Sequence, residues 1–175
     1  MEKEDGENRR REPKRACFSG RSYNVGVPLA IREFRPEDFD TLWRMDQECF
    51  ATGIAYTRQE LKTYIRSRGS FTLVAYEGKT AAVLGFIVVH AAPVGHIITI
   101  DVSPSTRRSG VGSLLLQSAE ERLLAAGSHA VNLETAVDNI SALAFYKRHG
   151  YSVIGTWPRY YSNGVDALVL KKTLA

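Results

Sequence analysis

The segment Asp101-Val-Ser-Pro-Ser-Thr-Arg-Arg-Ser-Gly-Val-Gly112 constrains this chain more than any other. It joins a stretch of strand character, His96 to Val102, to a helical pattern. In that helix Val111, Leu115, Ala119 and Leu123 recur every four residues on one face. Arg107, Gly110 and Gly112 satisfy Arg-x-x-Gly-x-Gly. Glycines at 110 and 112 omit the Cβ atoms that would keep an anion away from backbone N–H groups. The first turn of a helix has N–H groups without internal partners, and its dipole places roughly half a positive charge there. Arg107 and Arg108 add charge and forked donors. A strand, this turn and a helix together make a pyrophosphate cradle. No Gly-Lys-Ser/Thr follows, so the turn is not a mononucleotide P-loop, and its spacing is not the dinucleotide Gly-x-Gly-x-x-Gly.

The flanking sequence places this turn in one α/β domain. Leu29 to Phe34 reads as a strand, and Pro36 opens a helix to about Phe50, with Phe39, Leu42, Trp43 and Met45 facing a core. Thr57 and Glu60 form a capping box for a second helix. Phe71 to Tyr76, Ala82 to His90 and His96 to Val102 read as an antiparallel meander. After the 110–126 helix come a strand at Ala130 to Thr135, a helix at Asn139 to His149, and strands near Tyr151 to Thr156 and Val165 to Lys172. The order is β-α-α-β-β-β-α-β-α-β-β. It predicts a mixed, mostly antiparallel sheet with helices on both faces and one parallel pair across the long helix.

The 175 residues suit one such domain, over about 29–175. Residues 1–28 have few apolar positions, and their basic cluster from Arg9 to Arg15 is interleaved with acidic side chains. A disordered charged tail is expected there rather than a nucleic-acid arm. No apolar run approaches the roughly 18 residues of a membrane span. Two cysteines, Cys17 and Cys49, make no metal-like cluster and fit a reduced, cytoplasmic protein. The net charge of +4 is modest and suits an anionic cofactor as well as a nucleic acid.

A second segment completes the pattern. Asn139-Ile-Ser-Ala-Leu-Ala-Phe-Tyr-Lys-Arg-His-Gly-Tyr151 puts Asn139, Ala142 and Tyr146 on one helix face. With the 107–112 turn, it resembles the GCN5-related N-acetyltransferases, in the right element order over about residues 29–174. The signatures matched are Gln/Arg-x-x-Gly-x-Gly/Ala and Asn-x-x-Ala-x-x-x-Tyr-x-x-x-Gly-Phe/Tyr. The resemblance implies acetyl-CoA as co-substrate, no metal, and splayed fourth and fifth strands between which the pantetheine arm lies. It implies cofactor contacts at Ile100, Asp101 and Val102, at Arg107, Arg108, Ser109, Gly110, Val111, Gly112 and Ser113, and at Asn139 and Ala142. Tyr146 is implied as the acid beside the sulfur. Glu134, twelve residues before it, is implied as the base by similarity to the ribosomal-protein N-terminal alanine acetyltransferase branch. Asp101, Glu48 and His96 are the other candidate bases.

The ending Tyr160-Tyr-Ser-Asn-Gly-Val-Asp-Ala167 resembles that of protein N-terminal acetyltransferases. It implies Tyr160 and Tyr161 as acceptor-binding residues, with Phe50 and Tyr56 opposite. The acceptor expected is a peptide or protein N-terminus, such as that of a ribosomal protein, in a monomer or homodimer without membrane or nucleic-acid partners. A small-molecule amine acetyltransferase is the alternative. A non-catalytic acyl-CoA-binding regulatory module is a third reading, against which the presence of both Glu134 and Tyr146 argues. Freeing an α-amine at pH 7 costs about 1–1.4 kcal/mol and a lysine amine about 4.6 kcal/mol, so a water-relayed glutamate is adequate for the first and weaker for the second.

Overall fold

The computed structural model describes residues 29–175, and the expected charged tail at 1–28 lies outside them. Seven strands form one sheet in the order β1-β2-β3-β4-β5-β7-β6. They are β1 (Leu29–Glu33), β2 (Ser70–Glu77), β3 (Val83–His90), β4 (Val94–Val102), β5 (Ala130–Ala136), β6 (Ser152–Trp157) and β7 (Ala167–Thr173). All pairings are antiparallel except β4 with β5. The helices are α1 (Phe39–Cys49), α2 (Arg58–Arg66), α3 (Val111–Ala125) and α4 (Ile140–Arg148).

The expected first helix is split. Pro36–Asp38 forms a 3-10 turn before α1, because Asp38 turns back to bind Arg32 through two bonds of 2.6 and 2.7 Å and accepts the Arg35 N–H at 2.8 Å. The Arg32 guanidinium therefore lowers the Asp38 pKa. The Thr57–Glu60 capping box forms as the sequence predicts. Strand β4 begins two residues earlier than expected, since the turn at 91–93 is short enough to let Val94 pair with Ala130.

Alternation along each strand sorts apolar side chains to two faces. Leu73, Ile87, Ile97, Val131, Leu133 and Leu170 meet Val111, Leu115, Ala119 and Leu123 of α3. Those four α3 side chains are at most 1% exposed, as the four-residue spacing requires. Burial of each aliphatic one contributes about 1.5–3 kcal/mol. On the opposite face Val74, Phe86 and Val88 meet Leu42 and Met45 of α1 and Leu61 of α2.

Two features shape the centre of the sheet. A bulge after Val88 gives β4 one extra residue, Ile98, which re-aims the rest of the strand. The parallel pairing of β4 and β5 then stops after Val94–His96 against Ala130–Asn132. From Ile97 onward β4 has no β5 partner, so the two strands open into a gap. At its far end Gly85 lies under β4, where an added Cβ would sit 2.6 Å from the Asp101 carbonyl oxygen.

Candidate active site

The gap is bordered by the turn that the sequence singled out. Gly110 takes φ 90° as the residue before α3, a left-handed conformation that favours glycine. No side chain caps α3, so its first N–H groups are open to an anion. Arg108 also has positive φ, at 64°. Arg107 and Arg108 are exposed, and the Arg107 Nε donates to the Val102 carbonyl at 3.4 Å. Ser109 is turned inward and donates to the Thr106 carbonyl at 2.5 Å. Ser113 has its hydroxyl 3.0 Å from His149 Nε2, which leaves its backbone as the group that faces an anion. An uncapped helix start, a left-handed glycine and two exposed guanidinium groups fit a pyrophosphate.

The β4 residues assigned to the cofactor differ among themselves. Ile100 and Val102 pack on the α3 face and carry backbone that β5 does not pair. Asp101 points the other way. It is 1% exposed, accepts from Thr99 at 3.3 Å, and leaves Oδ1 without a partner. Burial, with Asp46 nearby, raises its pKa well above the carboxylate range. Its side chain is thus sealed under α1, and only its backbone can meet a ligand.

Asp46 on α1 is fully buried as well. Its Oδ2 accepts the Tyr56 N–H at 2.8 Å and the Gln47 amide at 2.9 Å, and its Oδ1 is unpartnered. Burial pushes its pKa up to about 6. Below the unfolded value of 3.8 this costs nothing, because both states are protonated. As pH rises from about 4 to about 6 the unfolded chain releases this proton while the folded protein still holds it, and stability falls by about 3 kcal/mol. Asp46→Asn keeps an acceptor for Tyr56. It should flatten this decline in denaturation curves at pH 4, 5, 6 and 7.5; a variant curve parallel to the parent's would contradict the assignment.

Strand β5 separates the two candidate catalytic groups. Val131 and Leu133 face α3, so Glu134 faces the opposite side. Tyr146 of α4 belongs to the α3 side and is 5% exposed. Burial first, then Asp101 and Tyr161 nearby, raises its pKa. Asn139 caps α4, its Oδ1 accepting the Ala142 N–H at 3.1 Å, which leaves its amide nitrogen for a second partner.

Glu134 does not stand alone. His96 pairs in register with Asn132, which brings its ring diagonally to Glu134, and Nε2 lies 2.6 Å from Oε2. The Glu134 side chain is 8% exposed and that of His96 35%. Of the other candidate bases, Glu48 is exposed on α1 and Asp101 is sealed, so the structure brings only His96 to Glu134.

Aromatic rings frame the same side. The Tyr56 hydroxyl donates to the Ile98 carbonyl at 3.2 Å, and its ring meets Tyr64 edge-on at 5.2 Å. Tyr160 and Tyr161 meet at 5.0 Å and both feel the Glu134 charge. Phe50 follows α1 and is half-buried. The two loops touch, since Ser162 donates to the Gly53 carbonyl at 3.0 Å. That contact brings the loop carrying Gly53, between Phe50 and Tyr56, against the loop that carries the tyrosine pair.

A model of the acetyltransferase (GNAT) family matches residues 32–151, which spans the gap, the turn and α4. The chain belongs to this family. It is an N-acetyltransferase. It is 34% identical to a Mycobacterium leprae protein over 83% of this chain, and spans 41% of that longer protein. It is 30% identical to an N-acetyltransferase of Methanocaldococcus jannaschii, over 82% of this chain and 91% of the relative. It is 25% identical to an N-alpha-acetyltransferase of Sulfurisphaera tokodaii, over 85% and 95%. Among solved structures, Ard1 from Thermoplasma volcanium superposes with a TM-score of 0.76 at 27% identity, over 85% of this chain and 99% of that one. The ribosomal-protein-S18-alanine N-acetyltransferase of Escherichia coli gives 0.74 at 18% identity, over 85% and 95%, a likeness of fold. Among the described residues no group of three or more His, Cys, Asp or Glu could hold a metal ion, and no helix is long and apolar enough to cross a membrane.

Proposed function

We propose that this N-acetyltransferase takes acetyl-CoA on the α3 side of the gap and a protein N-terminal α-amine on the α2 side. The observation that carries this reading is the sorting of groups by β5. The phosphate cradle and Tyr146 lie on one face, and Glu134, His96 and the aromatic frame on the other. Donor and acceptor then approach each other from opposite sides, with no need to share a channel. The frame is closed on one side by the Ser162–Gly53 contact, which suits a slender chain end. The N-alpha-acetyltransferase relatives support the choice of an α-amine. The protein would act in the cytoplasm, as a monomer or homodimer.

In the reaction the free amine attacks the thioester carbonyl, the C–N bond forms and the C–S bond breaks. The amine proton passes to the Glu134–His96 pair, directly or through water. The pair at 2.6 Å can spread that charge over two groups. An α-amine near pKa 7.7–8 asks only about 1–1.4 kcal/mol of such a base. Backbone N–H near Val102 supplies a donor toward the developing negative oxygen. Tyr146 gives its proton to the departing thiolate. An unperturbed phenol is a weaker acid than a thiol by about 2 kcal/mol, and burial widens that gap, so its role depends on direct contact with the sulfur.

Tyr146→Phe should therefore lower kcat about 10–100-fold while leaving acetyl-CoA affinity unchanged. Single-turnover rates would check this, and an unchanged chemical step would remove Tyr146 as the acid. The acceptor reading is tested by CoA release over a panel of Ser- and Ala-starting peptides, lysine peptides and small amines.

A further inference from the structure

Resting on the peptide reading, we propose that Trp157 forms a distal acceptor subsite, taking an apolar or aromatic side chain three to four residues from the peptide's N-terminus. The sheet register places it there. Glu134 pairs with Val169, which pairs with Gly155, so these three share one face. Two residues along each strand, Ala136, Ala167 and Trp157 form the next row on that same face. The Trp157 indole therefore rises from the acceptor side, at the outer strand of the sheet.

The rings give the same answer independently. Trp157 stacks at a tilt on Tyr160 with centroids 5.3 Å apart, and Tyr160 meets Tyr161 at 5.0 Å. The row is thus continuous from the rings beside Glu134 out to the indole. Trp157 is 47% exposed and Tyr160 46%, so both keep a free face. The floor before Trp157 is low, because a Cβ built on Gly155 would meet nothing within 4 Å.

Distance fixes which peptide residue arrives. Two strand spacings separate β5 from β6, about 10 Å. The two ring steps span a similar length. Trp157 also lies one row further along the strands, about 7 Å, so the span from Glu134 is about 12 Å. An extended chain covers about 3.3 Å per residue, so an acceptor whose first residue sits at Glu134 reaches Trp157 with its fourth or fifth. An exposed indole with one free face favours apolar or aromatic partners there.

Steady-state kinetics at saturating acetyl-CoA would test this with a dipeptide amide and two hexapeptides sharing the same first two residues. One hexapeptide carries Leu and Phe at positions 4 and 5, the other Gly at both. The parent protein should show a KM about 10-fold lower for the Leu-Phe hexapeptide than for the other two acceptors. Trp157→Ala should erase that advantage, raising KM for the Leu-Phe hexapeptide to that of the Gly hexapeptide. Trp157→Phe should keep most of it. Gly155→Val fills the open floor without a clash, and it should also raise KM for the Leu-Phe hexapeptide alone. The subsite is overturned if the advantage survives Trp157→Ala and Gly155→Val, or if all acceptors suffer equally. A parent protein that acetylates peptides with no gain from positions 4 and 5 also overturns it. A parent protein that acetylates small amines and no peptide overturns the peptide reading itself.

Discussion

Gly110→Glu is expected to weaken acetyl-CoA binding at least 100-fold, about 2.7 kcal/mol, in isothermal calorimetry. Two separate effects are expected, the first on stability and the second on affinity. The residue sits at φ 90° immediately before α3, where an L side chain costs about 1–2 kcal/mol of strain. The new carboxylate would also occupy the helix start, where the cradle presents its open N–H groups, and repel the pyrophosphate. Gly110→Ala separates the two. It keeps the strain and lacks the charge, so it should lower thermal stability while losing far less affinity. Retained affinity in Gly110→Glu would show that the anion binds elsewhere.

Glu134→Gln is expected to lower kcat about 10²–10³-fold at pH 7 with little change in acetyl-CoA affinity. Glutamine can still hold His96 across the 2.6 Å contact, but cannot take up charge. The deficit should shrink as pH rises above about 8, because an α-amine is then mostly free without a base. A pH–rate profile with unchanged fold-loss from pH 7 to 9 would contradict base catalysis at Glu134. His96→Gln should give a smaller loss in the same direction, since His96 acts here as Glu134's partner.

Much of this architecture can be read in the amino-acid order because local chemistry dictates it. The Val111–Leu123 spacing, the Thr57–Glu60 box and the glycines at 110 and 112 each work within one or two turns of chain. The 3-10 turn at Pro36–Asp38 escapes such a reading, since Arg32 from a neighbouring strand decides it. Longer-range facts are hidden for the same reason. His96 and Glu134 are both visible as ionisable residues, yet only the short β4–β5 pairing and its register bring them together. Asp101 looks like a cofactor contact in sequence, but the bulge at Ile98 helps turn its side chain under α1. Ser113 looks like a phosphate ligand, but His149 from α4 takes its hydroxyl. Trp157 lies one residue past the expected end of β6, and only the β5-β7-β6 register shows which face it joins.

The paired faces of β5 also explain why the site needs no deep cavity. On the proposed reading, backbone would hold the donor on one side and rings the acceptor on the other. Specificity would then reside in the loops at 50–57 and 158–166, which meet through Ser162 and Gly53. The central claim is that the chemistry at their meeting point serves a protein α-amine. The most direct measurement is initial-rate CoA release, at fixed acetyl-CoA, for matched acceptors. These are a Ser- or Ala-starting peptide, the same peptide blocked at its N-terminus but carrying a free lysine, and a polyamine. The α-amine peptide should be turned over with a kcat/KM at least about 100-fold above the other two, consistent with the roughly 3 kcal/mol difference in the cost of freeing the amines. Equal or faster turnover of the blocked lysine peptide or the polyamine would contradict the account.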